Sequence, residues 1–280
     1  MEIIIAEPIG YCYGVERALN ITYEALKSKS DNIYTIGPII HNPQVVKKLK
    51  DNGIKIIENL ENVDIGTLII RAHGIDPKKL ERARKMGFKV IDATCPFVKK
   101  NQKRATQLVK EGYFLVVIGE KEHPEILGIL ANANGPFIVI ENNSDYKKLP
   151  DVKRVGVITQ TTQSMENFIS VVSYLLEKYK EIKIFNTICD ETIERQKSTR
   201  NIANKVDLML VVGGKNSANT KRLAEIGKSI NENTYHIETS EEIIEKWLKG
   251  VKKVGISGGA STPKWLIDEA FKKIKKITSH

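Results

Sequence analysis

The sequence predicts an α/β protein made of three similar units with mainly parallel sheets, packed about a pseudo-threefold axis so that the ring closes on itself. Three observations predict it. Cys12, Cys95 and Cys189 cut the 280 residues into segments of similar length. Each cysteine follows a β-like run and opens a helix-like one, and a second strand with a polar loop recurs at the matching place in every segment.

Taken in order, Ile3-Ile4-Ile5 leads to Cys12, Val90-Ile91-Asp92-Ala93-Thr94 to Cys95, and Ile182-Lys183-Ile184-Phe185 to Cys189. Pro96, directly after Cys95, is a favoured first helical residue. The helices lead to apolar strands at Ile33-Tyr34-Thr35-Ile36, Phe114-Leu115-Val116-Val117-Ile118 and Leu208-Met209-Leu210-Val211-Val212, followed at once by Gly37, Gly119 and Gly213. A further strand and loop then recur: Leu68-Ile69-Ile70-Arg71-Ala72-His73-Gly74, Val155 to Thr162, and Val254 to Ser261. Strands alternating with helices imply parallel sheets whose ligand-binding loops lie at the carboxyl ends of the strands. The third segment ends in a helix, so Ile3-Ile4-Ile5 is expected to return and complete its sheet. The expected units are 13–95, 96–188 and 189–280, the last completed by residues 1–12.

Composition narrows the function. With 41% hydrophobic and 28% charged residues and no apolar run near the ~20 residues that span a bilayer, disorder and a transmembrane helix are both excluded. The opening Met1-Glu2-Ile3-Ile4-Ile5 has no basic segment before its apolar stretch, which argues against a secretory signal and for the cytoplasm. A net charge of +10 favours acidic partners. Nucleic acid is not among the expected ones: only 6% of residues are aromatic, and lysines fall on helical faces such as Phe271-Lys272-Lys273-Ile274-Lys275-Lys276.

An odd number of cysteines without a CxxC pair disfavours a disulfide framework or a four-cysteine zinc site. Equivalent positions in three packed units would let three thiolates meet, each stabilised by a helix amino terminus. Three such ligands suit an iron-sulfur cluster with one iron left free, or a catalytic zinc with an open position. The plainer alternative is three unrelated buried cysteines.

The loops hold the unusual polar residues: His41-Asn42-Pro43, His73-Gly74, His123-Pro124-Glu125, Thr159-Gln160-Thr161-Thr162, Ser217-Ala218-Asn219 and Ser261-Thr262-Pro263. Of the remaining histidines, His236 lies in a strand-like run and His280 is terminal. Helix amino termini with Ser, Asn and His donors read as a site for a di- or triphosphate. Gly213-Gly214-Lys215-Asn216-Ser217 lacks the spacing of a phosphate loop, and Gly255 to Ala260 falls short of a dinucleotide fingerprint. Glu125 is the candidate acid or base, with Thr161 placed to share its proton. Three functions fit this set: an enzyme with an iron-sulfur cluster, a zinc-dependent hydrolase or lyase acting on a phosphorylated substrate, and a non-enzymatic sensor of a phosphorylated ligand.

The ordered motifs Gly10-Tyr11-Cys12-Tyr13-Gly14-Val15, His41-Asn42, Arg71-Ala72-His73-Gly74, Asp92-Ala93-Thr94-Cys95-Pro96, His123-Pro124-Glu125, Thr159-Gln160-Thr161-Thr162, Thr187-Ile188-Cys189, Arg195-Gln196, Gly214-Lys215-Asn216-Ser217, Asn219 and Gly259-Ala260-Ser261 cover nearly the whole chain. In these the sequence resembles the 4-hydroxy-3-methylbut-2-enyl diphosphate reductase (IspH/LytB) family, the last enzymes of the non-mevalonate isoprenoid pathway. The resemblance implies a trefoil around one central 4Fe-4S cluster per chain, held by Cys12, Cys95 and Cys189, with the fourth iron taking the substrate. It implies that His41, His73, His123, Ser217, Asn219 and Ser261 hold the diphosphate. Glu125 and Thr161 then form the proton relay, with Gln160 nearby. The implied reaction is reductive dehydroxylation to isopentenyl and dimethylallyl diphosphate, and the implied partner is an acidic electron donor, ferredoxin or flavodoxin. Two residues depart from the family pattern. Ala218 stands where a second Ser is usual, and Asp190-Glu191 adds negative charge after Cys189.

Overall fold

The computed structural model describes residues 1–27 and 32–279, so His280 lies outside the described residues. In chain order the elements are β1 (Glu2–Ile5), α1 (Tyr13–Lys27), β2 (Ile33–Ile36), α2 (Pro43–Asp51), β3 (Ile54–Ile57), β4 (Thr67–Ile70), α3 (Pro77–Lys85) and β5 (Lys89–Asp92). The middle of the chain adds α4 (Pro96–Lys110), β6 (Phe114–Ile118), α5 (Pro124–Ala133), β7 (Phe137–Ile140), β8 (Arg154–Thr159), α6 (Met165–Lys178) and β9 (Glu181–Ile184). The last segment adds α7 (Asp190–Ala203), β10 (Leu208–Val212), α8 (Ala218–Ile230), β11 (Thr234–Ile237), β12 (Lys253–Gly258) and α9 (Lys264–Thr278).

These strands form three four-stranded sheets with one wiring, in the orders β3-β2-β4-β5, β7-β6-β8-β9 and β11-β10-β12-β1. Every pairing is parallel. Parallel neighbours need a crossover, and the helices between successive strands supply it. The third sheet takes β1 as its edge strand, with Glu2 opposite Lys253 and Ile5 opposite Ile256. One strand of each sheet, β3, β7 or β11, lies on the opposite edge, and Gly37, Gly119 and Gly213 each donate a backbone bond to its last residue, Ile57, Ile140 and Ile237, at 3.0, 3.0 and 2.9 Å.

Two compact units contain these sheets. One comprises Met1–Val15, His41–Lys47 and Asp190–His280 and holds the β1-containing sheet; the other comprises Glu16–Ile40 and Lys48–Cys189 and holds the remaining two. In the larger unit, Leu108, Ile126, Ile129 and Ala133 of α4 and α5 pack on Leu115, Val117 and Ile158 of the sheet. In the smaller, Leu266, Ile267, Ala270 and Ile274 of α9 do the same against Leu208, Leu210, Val254 and Ile256. Each fully buried aliphatic side chain contributes roughly 1.5–3 kcal/mol, so these faces fix the strand ends from which the polar loops leave.

Helix starts follow local chemistry. Pro43, Pro77, Pro96 and Pro124 occupy first helical positions, where the missing N–H costs nothing. Asn42 Oδ1 accepts from Val45 N–H at 3.0 Å, and Ser217 Oγ accepts from Thr220 N–H at 3.3 Å. Among the described residues no helix is long and apolar enough to cross a membrane.

Candidate active site

The three cysteines occupy one local setting repeated three times. Each follows an edge strand, β1, β5 or β9, and immediately precedes a helix, α1, α4 or α7. Each backbone N–H donates to the carbonyl of the second residue beyond the neighbouring strand: Cys12 to Ala260 at 3.0 Å, Cys95 to Ala72 at 2.9 Å, and Cys189 to Thr161 at 3.0 Å. The three accepting loops are closed by the same turn, with Thr262 N–H bonded to Gly259, Gly74 to Arg71, and Gln163 to Gln160. None of the three cysteines is in a disulfide, and all three are partly buried. Burial pushes the Cys95 thiol up, and the Phe97 and Val98 amides at the start of α4 work against that rise. Soft thiol donors at helix amino termini are the donor set that iron-sulfur clusters use.

In the larger unit, Glu125 is 1% exposed in the first turn of α5. Its Oε1 accepts from Thr161 N–H at 2.8 Å, and its Oε2 lies 2.6 Å from Thr161 Oγ1. Burial outweighs these bonds, together with one from Asn101, and raises the carboxyl from its ordinary value to about 7. Near neutral pH the group therefore holds or releases a proton with little bias. His123 caps the same helix through Nδ1, which accepts from Glu125 N–H at 3.1 Å. That bond puts the ring proton of the neutral imidazole on Nε2 and makes this nitrogen a donor. His73 stands edge-on to His123, the ring centroids 5.3 Å apart. Gln160 is turned into the loop framework: its Oε1 accepts from Glu120 N–H and its Nε2 donates to Thr162 Oγ1, both at 2.9 Å.

In the smaller unit, Ser217 caps α8 and Asn219 lies in its first turn, 4% exposed, with neither side-chain amide atom hydrogen-bonded among the described residues. A buried amide of this kind is able to bond a polar ligand. Ser261 Oγ donates to the His41 carbonyl at 3.0 Å, which ties these two loops together. His236 bonds the Gly213 carbonyl through Nε2 at 2.9 Å, and burial lowers its pKa, so it serves the sheet.

The sequence model of the LytB protein family matches residues 3–275. The chain belongs to the LytB family. It is similar to the 4-hydroxy-3-methylbut-2-enyl diphosphate reductase of Geobacter sulfurreducens, 48% identical over 277 residues that cover 99% of this chain and 98% of the relative. The enzyme of the same name from Aquifex aeolicus is 49% identical over 280 residues, covering 99% and 97%. Two solved structures align over 99% of this LytB-family chain. A (E)-4-hydroxy-3-methyl-but-2-enyl diphosphate reductase, described as the terminal enzyme of the non-mevalonate pathway, has a TM-score of 0.72 at 48% identity with all of its own chain covered. The E-1-hydroxy-2-methyl-but-2-enyl-4-diphosphate reductase of Plasmodium falciparum has a TM-score of 0.93 at 35% identity with 88% covered.

Several residues brace these loops, and two of them, Asn101 and Arg17, carry no signal in a motif reading. Asn101, 3% exposed in the middle of α4, supports Glu125 and donates to the Thr159 carbonyl at 3.4 Å. Thr187 Oγ1 both accepts from Thr159 N–H at 2.8 Å and donates to its carbonyl at 2.6 Å, which pins the strand end below the Gln160-Thr161 turn. Arg17 Nη1 donates to the Thr94 carbonyl just before Cys95, at 3.3 Å. Of the two departures, Ala218 is the buried first residue of α8 and Asp190-Glu191 opens α7.

Proposed function

We propose that this chain catalyses the reductive dehydroxylation of 4-hydroxy-3-methylbut-2-enyl diphosphate to isopentenyl and dimethylallyl diphosphate, the last step of the non-mevalonate isoprenoid pathway. Two electrons and two protons enter; one proton leaves with the hydroxyl as water and the other ends on an allylic carbon. The named relatives are reductases, and the zinc hydrolase or lyase alternative has no support among them. In this reading Cys12, Cys95 and Cys189 hold a 4Fe-4S cluster, one per chain, and three thiol ligands in one repeated setting fit it. When bound, the cluster would supply the electrons and a Lewis-acidic iron for the hydroxyl group.

The protein's own residues do the rest. Ser217, Asn219, Ser261, His41, His73 and His123 are the residues proposed to offer donors for the diphosphate, and Gln160 holds the turn that carries Thr161. Glu125 stores a proton and Thr161 Oγ1 passes it on, its hydroxyl able to accept from one side while donating on the other. The observation that carries the reading is the buried Glu125 carboxyl, 2.6 Å from Thr161 Oγ1 with its pKa near neutrality. Cysteines outside any disulfide suit the reducing cytoplasm. A protein donor such as ferredoxin or flavodoxin would be acidic, to match α4, which runs from Cys95 with Lys99, Lys100, Lys103, Arg104 and Lys110 and no acid. We also propose the division into units 13–95, 96–188 and 189–280 with 1–12, because the strands of each sheet come from these stretches.

Anaerobic purification tests this directly. About four irons and four sulfides per chain, with turnover of the hydroxylated diphosphate under a strong reductant, are expected. Zinc without colour would overturn it in favour of the hydrolytic alternative, and a metal-free protein that binds diphosphate would favour a sensor.

A further inference from the structure

The sixth position after each cysteine is buried and holds Ala18, Asn101 and Arg195 in turn. Two of these perform the same task. Asn101 Nδ2 donates to the carbonyl of Thr159, the last residue of β8, at 3.4 Å, and Arg195 Nη1 donates to that of Gly258, the last residue of β12, at 3.1 Å. A neutral amide therefore suffices for the strand end, and the methyl of Ala18 suffices in the remaining repeat. The positive charge of Arg195 needs a separate reason, since burying a guanidinium is costly unless a negative charge faces it.

Its remaining contacts point to one. Nη1 also donates to the Pro8 carbonyl at 2.9 Å and Nη2 to the Gly10 carbonyl at 3.0 Å, so the side chain holds the loop that leads into Cys12. The ion pair with Glu191 is long, 3.5 Å, and that carboxylate is 38% exposed while Arg195 is 2% exposed. Nε is buried and has no partner among the described residues. Burial lowers the guanidinium pKa, while the charges of Glu191 and Cys12 act the other way.

We infer that Arg195 is a positioning residue for Cys12 and that its fixed positive charge stabilises the reduced, more negative state of the cluster proposed to be bound there. The inference rests on the reading of Cys12 as a cluster ligand. Net charge is one of the terms that set cluster potentials. Arg195 contributes a positive charge from inside the fold, where solvent screens little.

The test is an anaerobic redox titration of the iron-loaded protein, followed by absorbance or electron paramagnetic resonance, for wild type, Arg195→Lys and Arg195→Gln. Arg195→Gln is expected to retain iron but shift the midpoint potential to more negative values. Arg195→Lys, which keeps the charge and loses the fork of carbonyl contacts, is expected to lie nearer wild type in potential while its melting temperature falls. An iron-loaded Arg195→Gln protein with the wild-type potential overturns the inference, and so does an equal negative shift in both variants. Should Arg195→Gln fail to fold, the double change with Glu191→Gln removes the pair together and is measured against Glu191→Gln alone; the same negative step must appear. Wild-type protein that binds no iron would fail the functional reading itself, a result distinct from iron-loaded variants with unchanged potentials.

Discussion

At Glu125 two forces compete. Thr161 and Asn101 favour the ionised carboxylate and burial opposes it; burial wins, and the pKa rises to about 7. A raised carboxyl pKa means that the folded chain holds the proton more tightly than the unfolded chain does. The resulting stabilisation is full below the unfolded value near 4.5 and is lost as pH rises through about 7, amounting to about 3 kcal/mol. Denaturant titrations of the metal-free protein should therefore show stability declining across that window, with a shallower slope in Glu125→Gln; parallel slopes would remove the shifted carboxyl. In enzyme carrying the proposed cluster, Glu125→Gln keeps the shape and removes the proton. Turnover should fall by ~10²-fold or more at unchanged iron content. Loss of iron would instead make Glu125 a ligand. Ala218 permits a complementary gain. A hydroxyl added by Ala218→Ser beside Ser217 should tighten substrate binding roughly tenfold, the value of one hydrogen bond to a charged group. Unchanged binding would mean that a neighbouring donor already covers that oxygen.

Among the elements, the strands with long apolar runs are the ones a sequence reading finds: β6 and β10 are continuous hydrophobic stretches, and β4, β8 and β12 run straight into polar loops. β3 and β7 escape it. Ile54-Lys55-Ile56-Ile57 and Phe137-Ile138-Val139-Ile140 are four-residue edge strands with Lys55 and Phe137 exposed, and a run that short carries no period to separate strand from loop. The site divides in the same way. Residues on loops beside Gly and Pro stand out, whereas Asn101 and Arg17 look like ordinary helical polar residues until packing brings carbonyls to them. Glycine inside strands carries a signal of its own. A Cβ on Gly156 would lie 2.7 Å from Leu108 Cδ2, and one on Gly255 would lie 2.7 Å from Ile202 Cγ2, so α4 and α7 rest almost on the backbone of β8 and β12. Leu108 is fully buried and has little room to yield. Gly156→Ala should cost ~1–3 kcal/mol in denaturant unfolding through overpacking, a loss that Leu108→Ala in the same chain should partly relieve.

For the whole molecule, a charge of +10 bears on kinetics more than on folding. If an acidic protein delivers the electrons, its rate of reducing the enzyme should fall steeply as salt rises from ~0.05 to ~0.3 M, while reduction by a small uncharged reagent should not. Charge reversal at Lys100 and Lys103 on α4 should slow the protein donor alone; an equal effect on both reductants would place the entry route elsewhere. The pairing of Glu2 with Lys253, and of the Cys12 amide with the Ala260 carbonyl, has a consequence in time. A ribosome adds roughly 5–20 residues per second, so β1 leaves the exit tunnel many seconds before its neighbour β12 has been made. The sheets of the larger unit draw all their strands from residues up to 184 and can assemble during that wait. Cys12 cannot take up its final setting until then. Loading of any cofactor that needs this thiol is thereby deferred until β12 has been made, and a chain stalled or truncated before β12 would present two of its thiols in place and the third on a loose strand.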